Sequence, residues 1–179
     1  MKYVNNKKLE KIKLSKDNFY VAIDFDRTIT ARESCDSWDA SGNILGKEFK
    51  QKICTLVEKY APIELDYNIS FAEKNKAMEE WYYETFKLYY EFHLTEEKLK
   101  QSINSSNLIF RTGAKEFLEN MYRIKVPVVI LTAGIGNVIE QFLQKNYCYY
   151  DNIYIISNFI SFDESGEIEE YSGELIHTL

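Results

Sequence analysis

The stretch Phe19-Tyr20-Val21-Ala22-Ile23-Asp24-Phe25-Asp26-Arg27-Thr28-Ile29-Thr30 decides how this 179-residue chain is built. Its first five residues are a compact β-branched and aromatic run, the composition of a strand buried on both faces, and the run stops abruptly at two aspartates. In an extended backbone Asp24 and Asp26 share one face while Phe25 turns away. Two carboxylates held side by side repel. A hard cation such as Mg²⁺ relieves that repulsion, because it takes a few oxygen ligands and leaves room for water and phosphate. One carboxylate can then attack a phosphoryl centre while the other gives and takes the proton. An Asp-x-Asp after a strand is also a common turn or helix cap, so the pair alone leaves both readings open.

Working outward, residues 1–17 carry Lys7, Lys8, Lys11, Lys13 and Lys16 among scattered apolar positions, a short surface helix or an arm to which no chemistry is assigned. Arg27 to Gly46 is polar and reads as a loop. Apolar residues then recur at helical spacing from Lys47 to Lys59 and from Ser70 to Phe92, with Pro62 expected to break the chain between Tyr60 and Asp66. Thr95 is placed to cap a third helix. Gly113 to Arg123 is amphipathic, Val126 to Leu131 is a second strand, Thr132 to Gly136 turns into a helix over 137–146, and Ile153 to Ser157 is a third strand. A hairpin is expected around Phe162 to Gly166. This alternation predicts an α/β fold with a parallel sheet, interrupted after its first strand by a long helical insertion.

Open parallel sheets collect ligands at the carboxyl ends of their strands. A second polar signature, Leu131-Thr132-Ala133-Gly134-Ile135-Gly136, sits at such an end. It supplies a hydroxyl, glycine-assisted close backbone approach and a helix N-terminus, all suited to an anion. By itself it is also an ordinary strand-to-helix connection.

Composition narrows the function classes. Lys+Arg 22 against Asp+Glu 28 leaves a net charge of -6, so the basic footprint of a general nucleic-acid binder is missing. The longest apolar run, near Val128 to Leu131, is far below the roughly 18 residues of a membrane span. Cys35, Cys54 and Cys148 are odd in number and form no Cys-x-x-Cys pair, which points to no disulfide framework, no zinc site and a reducing cytoplasm. His93 and His177 have no ligand spacing and are expected to have structural or surface roles. Trp81, Tyr82 and Tyr83 read as helix packing, with one of them able to stack on a base.

Asp24-Phe25-Asp26-Arg27-Thr28-Ile29-Thr30 resembles the Asp-x-Asp-x-Thr first motif of the haloacid dehalogenase-like (HAD) phosphatases, and Thr132 fits their second motif. More narrowly, several segments resemble the cytosolic pyrimidine 5'-nucleotidase (5'-nucleotidase III) family: Tyr60 to Asp66, Met78 to Tyr82, Thr132 to Gly136, Ser157 to Phe159 with Phe162 to Glu164, and Gly173 to His177. The resemblance implies a HAD-like doubly wound parallel sheet, a Rossmannoid core made of 1–31 and 108–179. A helical cap, 32–107, is inserted after the first strand. It implies Mg²⁺-dependent hydrolysis of a small phosphate monoester, with a nucleoside 5'-monophosphate as the first choice. Asp24 would be nucleophile and metal ligand, and Asp26 general acid/base and metal ligand through its backbone carbonyl. Thr132, Ala133 and Gly134 would hold the phosphoryl oxygens, and Glu64 and Thr85 would face the substrate.

The family continues past Ile-His into an Asn-Lys and later a Gly-Asp segment with further acids, whereas this sequence stops at His177-Thr178-Leu179. The implied core is therefore incomplete at its C-terminus. An uncovered sheet edge is expected to offer a surface for self-association. The alternative function is a catalytically impaired nucleotide- or phosphate-binding module that keeps the cap and cradle. A third is a HAD phosphatase for a sugar phosphate or phosphoserine.

Overall fold

The run Val128-Val129-Ile130-Leu131 becomes the central strand because it alone finds a partner on each side. In the structure, a computed structural model that describes residues 19–169 and 175–178, three strands form a parallel sheet in the order β1-β2-β3: β1 (Val21–Ile23), β2 (Val128–Ile135) and β3 (Ile153–Asn158). Val21 to Ile23 pair with Val128 to Ile130, and Val128 to Leu131 pair with Ile153 to Ile156. The Lys-rich segment 1–17 and Gly173-Glu174 lie outside the described residues.

Parallel neighbours need crossovers, and the helices supply them. Between β1 and β2 the chain runs through α1 (Ser37–Gly42), α2 (Gly46–Leu65), α3 (Phe71–Glu91), α4 (Glu96–Ser105) and α5 (Ala114–Arg123); α6 (Gly136–Lys145) links β2 to β3. Capping fixes several starts. Ser70 Oγ accepts the Glu73 N–H at 3.3 Å while a Glu73 carboxylate oxygen accepts the Ser70 N–H at 3.2 Å, so two orphan donors of α3 are satisfied reciprocally. Thr95 Oγ1 accepts the Lys98 N–H at 3.1 Å and starts α4, as its sequence predicts. The expected hairpin is present as an antiparallel bridge between Phe162 and Ile168.

Four expectations are corrected. β1 is not buried on both faces: Phe19 and Tyr20 precede it exposed, Ala22 is exposed within it, and among the described residues its only neighbour is β2. The polar stretch Arg27 to Gly46 is not all loop, because Asp36 accepts the Asp39 N–H at 2.9 Å and nucleates α1. Pro62 does not break α2, which runs to Leu65. Its missing N–H falls in the last turn, so only one terminal hydrogen bond is lost. Finally, Thr132 to Ile135 belongs to β2 rather than to a turn after it.

The two legs of the helical insertion run side by side where they leave the sheet. The Ala31 N–H donates to Ile109 O at 2.9 Å, the Cys35 N–H donates to Asn107 O at 3.3 Å, and Thr30 and Phe110 form an antiparallel bridge. Two apolar clusters lie on either side of this neck. One, with Phe25, Ile29, Leu118, Ile130 and Phe142, packs the sheet against α5 and α6. The other joins Phe49, Phe86, Tyr89 and Leu94 of the insertion to Ile135 and Val138 at the head of α6. Phe142 holds the first cluster together, its ring 5.8 Å from Phe25 edge-on and 4.5 Å from Phe110. Phe142→Ala is expected to cost about 3–5 kcal/mol in urea unfolding; a loss below about 1 kcal/mol would contradict this packing.

Candidate active site

The pairing of Ile23 with Ile130 sets Asp24 beside Leu131, so the tip of β1 and the Thr132 segment of β2 emerge on one edge of the sheet. Past Ile23 the backbone is extended at Asp24, enters a single helical turn over Phe25–Ile29 that is interrupted by an extended Asp26, and reverses at Arg27, whose φ of 58° is left-handed. That costly conformation is held from several sides. Thr30 Oγ1 accepts the Arg27 N–H at 2.7 Å, the Thr30 N–H donates to Phe25 O at 3.1 Å, and the Arg111 guanidinium donates to the carbonyls of Arg27 and Thr28. Phe25 is buried in the core, Asp24 is exposed, and the Thr28 hydroxyl donates to Asp24 Oδ2 at 2.9 Å. The two aspartates thus lie just past the end of β1, with Phe25 between them turned into the core.

Thr132, Ala133 and Gly134 arch out of the ladder. Leu131 pairs with Ile156 and Ile135 pairs with Asn158, so three residues of β2 stand opposite one of β3. The arch is fastened from the β3 side: the Ser157 hydroxyl donates to Gly134 O at 2.8 Å and the Asn158 amide to Ala133 O at 3.0 Å. Thr132 Oγ1 accepts the Gly134 N–H at 3.2 Å. On its other side the arch meets Asp26. A Cβ on Gly134 would lie 2.9 Å from Asp26 Oδ2 and closer still to Ser37 Oγ, so only glycine permits the approach.

Asp26 is gripped by the first residue of α1. Its Oδ1 accepts the Ser37 N–H at 2.9 Å and its Oδ2 the Ser37 hydroxyl at 2.6 Å. Burial pushes the Asp26 carboxyl up to about 6, the Ser37 hydrogen bonds pull against that rise, and the charges of Asp36 and Asp24 add to it. A carboxyl that can carry a proton near neutrality suits a group that must donate one.

Glu64 and Thr85 face a cavity of about 770 Å³, which Trp38, Met78, Trp81 and Tyr82 also line, with Arg27 and Asp36 at its core end. The Glu64 carboxylate accepts the Thr178 hydroxyl at 2.6 Å, and the Thr85 hydroxyl donates to Trp81 O at 2.9 Å within its own helix. The Tyr82 ring meets Trp38 edge-on at 5.1 Å. Its phenol is raised well above the ordinary range by burial and by the carboxylates of Glu64, Asp26 and Asp36. The predicted residues therefore form two groups, Asp24, Asp26, Thr132, Ala133 and Gly134 at the strand tips and Glu64 with Thr85 in the insertion. Sequence reasoning missed Ser37, hidden in a polar stretch, and Arg111, whose role depends on carbonyls 83 and 84 positions away. An Asp-Ser before Trp38 was the available signal for a helix start at Ser37.

The metal expectation can be tested on the donor set. Among the described residues no three His, Cys, Asp or Glu side chains converge as a metal centre. The strand tip offers the exposed Asp24 carboxylate and the Asp26 carbonyl. Two oxygens fit Mg²⁺, which keeps several waters and completes its shell with substrate phosphate. His177 lies against Tyr82 with ring centroids 6.4 Å apart.

The pH dependence of stability follows from Asp26. Its folded pKa of about 6 lies above the ordinary 3.8, so the folded state binds more protons between those values. Stability from this group falls as pH rises through that window, and the cost is complete above it. Asp26→Asn is expected to raise unfolding free energy at pH 8 by on the order of 2 kcal/mol and to change it little below pH 4. Thermal melts of both proteins at the two pH values check the sign.

Comparison with known proteins shows the family and the fold. The sequence profile of the pyrimidine 5'-nucleotidase (UMPH-1) family matches residues 30–179. A 7-methylguanosine phosphate-specific 5'-nucleotidase B of Xenopus laevis is 30% identical over 169 residues, covering 94% of this chain and 58% of that protein. The crystal structure of cytosolic 5'-nucleotidase IIIB bound to cytidine superposes with a TM-score of 0.72 at 27% identity, over 88% of this chain and 54% of that one. A HAD family hydrolase from Salmonella enterica serovar Typhi shares the fold alone, with a TM-score of 0.58 at 14% identity, over 84% of this chain and 43% of that one. The chain spans just over half the length of the curated relative from Xenopus. With a HAD-like α/β fold and a family profile matched over most of its length, the chain belongs to the pyrimidine 5'-nucleotidase (UMPH-1) family.

Proposed function

We propose that the chain carries the active site of a Mg²⁺-dependent phosphatase that hydrolyses a nucleoside 5'-monophosphate through an aspartyl-phosphate on Asp24. The observation that carries the reading is the meeting of Asp26 with the Gly134 arch, which brings an acid pair and a hydroxyl-bearing bulge to one sheet edge beside a nucleotide-sized aromatic cavity. In this reading 32–107 is a cap joined at its paired legs to a core of 1–31 and 108–179.

An Asp24 carboxylate oxygen forms a bond to phosphorus as the bond from phosphorus to the leaving ester oxygen breaks. Asp26 gives its proton to that oxygen, so the nucleoside leaves as an alcohol. The same carboxylate then takes a proton from water as it attacks the acyl phosphate, releasing inorganic phosphate and restoring Asp24. Thr132 and the Ala133 and Gly134 backbone orient the phosphoryl oxygens. The Asp24 carboxylate and the Asp26 carbonyl would hold Mg²⁺, which would supply charge neutralisation for the attack on phosphate. Trp38, Trp81 and Tyr82 offer ring faces to a base, and Glu64 an acceptor or a counter-charge. The relatives' names include a 7-methylguanosine phosphate enzyme and a cytidine complex, so both base classes are candidates.

Cytoplasmic residence is supported by the cytosolic name of the matched structure; among the described residues no helix is long and apolar enough to cross a membrane. Among the described residues the outer edge of β1 carries no partner strand, which supports self-association. A second reading, a binding module with little turnover, is favoured by the two-oxygen donor set at the strand tip.

Phosphate release from 7-methylguanosine, cytidine, uridine and guanosine 5'-monophosphates, with phosphoserine as control, tests the assignment. Asp24→Asn is expected to lower the rate at least about 10³-fold, and a variant that keeps the wild-type rate would refute the mechanism. Glu64→Ala should raise KM about 10-fold or more for the preferred nucleotide; an unchanged preference among bases would move the substrate outside nucleotides. Calorimetric binding of a nucleotide without phosphate release would establish the second reading.

A further inference from the structure

We propose that Ser37 is a positioning residue that locks the two loops of the site, the Asp24–Asp26 tip and the β2 arch, into one register for the phosphoryl group. The inference rests on the active-site reading above and extends it to a residue outside both motifs. Ser37 is fully buried and does not line the cavity, so it acts through other groups rather than on substrate.

Its bonding is what sets it apart. The Ser37 N–H and hydroxyl donate to the two different oxygens of Asp26, at 2.9 and 2.6 Å, which fixes both the place and the rotation of that carboxylate. The same Oγ accepts the Ile135 N–H at 3.1 Å. A serine hydroxyl has one donor and two lone pairs. Here the donor goes to the first loop and a lone pair to the end of the second. A single oxygen therefore joins segments 109 positions apart in the chain, between Asp26 and Ile135. The missing side chain at Gly134 is the complement of this bond, since a Cβ there would press on Ser37 Oγ and Asp26 Oδ2. Misplacing an acid by about 1 Å relative to the reacting phosphorus can cost on the order of 10² in rate without loosening substrate.

Ser37→Ala keeps the backbone bond to Asp26 and removes both Oγ bonds. The full chain and the variant are compared with Mg²⁺ at a temperature below both melting transitions. The measurements are kcat and KM for the preferred nucleoside monophosphate, and the Kd of orthovanadate, a five-coordinate mimic of the transferring phosphoryl group, by calorimetry. The expected result is a fall in kcat of about 10- to 100-fold with KM within about twofold, and a vanadate Kd raised by a similar factor. A purely structural role would lower the melting temperature and leave both ratios alone.

Ser37→Cys, which keeps the volume but donates weakly, should show a smaller loss in the same direction and serves if the alanine variant does not fold. Where wild type binds vanadate without turnover, the vanadate ratio decides. Ratios within twofold of wild type in both variants overturn the inference while leaving the active-site reading intact. A wild-type chain that neither turns over nucleotides nor binds vanadate overturns both.

Discussion

The register of β1 against β2 is the constraint on which the rest depends. Ile23 beside Ile130 sends Asp24 and Asp26 out of the sheet level with Thr132 to Gly134. A parallel strand slipped by one residue would turn every side chain to the opposite face, burying Asp24 and exposing Phe25. Phe25, fully buried and set edge-on to Phe142, resists that slip, so the apolar residue between two acids anchors both. Position at the strand tip is thus an outcome of core packing.

Charge is the cost of that position. Asp26 sits among Asp24 and Asp36 and is partly withdrawn from water, which a carboxylate resists. Ser37 meets it with two donors, and the left-handed Arg27 turn is held by Thr30 and Arg111. These polar supports hold a backbone conformation that an arginine would not adopt unaided. The insertion, by contrast, is held by ring packing. Trp38, Tyr82, Phe86 and Tyr89 share ring contacts, and three of them, Trp38, Tyr82 and Tyr89, also line the cavity, so the same aromatics that pack the insertion shape that space.

Much of this was legible in the sequence. The α/β order, the long insertion and the acid pair are carried by patterns a few residues wide: the apolar run that ends in Asp24, the helical spacing of α3 and the Thr95 cap. Errors arose where local rules met tertiary context. Pro62 signals a break, yet it falls in a final turn where little remains to be lost. Thr132 to Gly134 reads as a turn, yet pairing resumes at Ile135 and makes it an arch within a strand. Phe19 to Ile23 has a buried strand's composition, but burial also needs a neighbour on each side.

The chain order of the acid pair, the helical insertion and the Thr132 to Gly136 segment was determined by sequence alone, because motifs of this kind act through neighbours two to six residues apart. Only the tertiary structure decided that Ser37 grips Asp26, that Arg111 braces the turn beside it, and that Glu64, Thr85 and Tyr82 look into one cavity. The hydrogen-bonded partners among them are separated by 11 to 84 residues, and a hydrogen bond leaves no periodicity along the chain to mark its two ends. Their meeting is set by how strands pair and helices pack, which is the physical content that folding adds to a sequence.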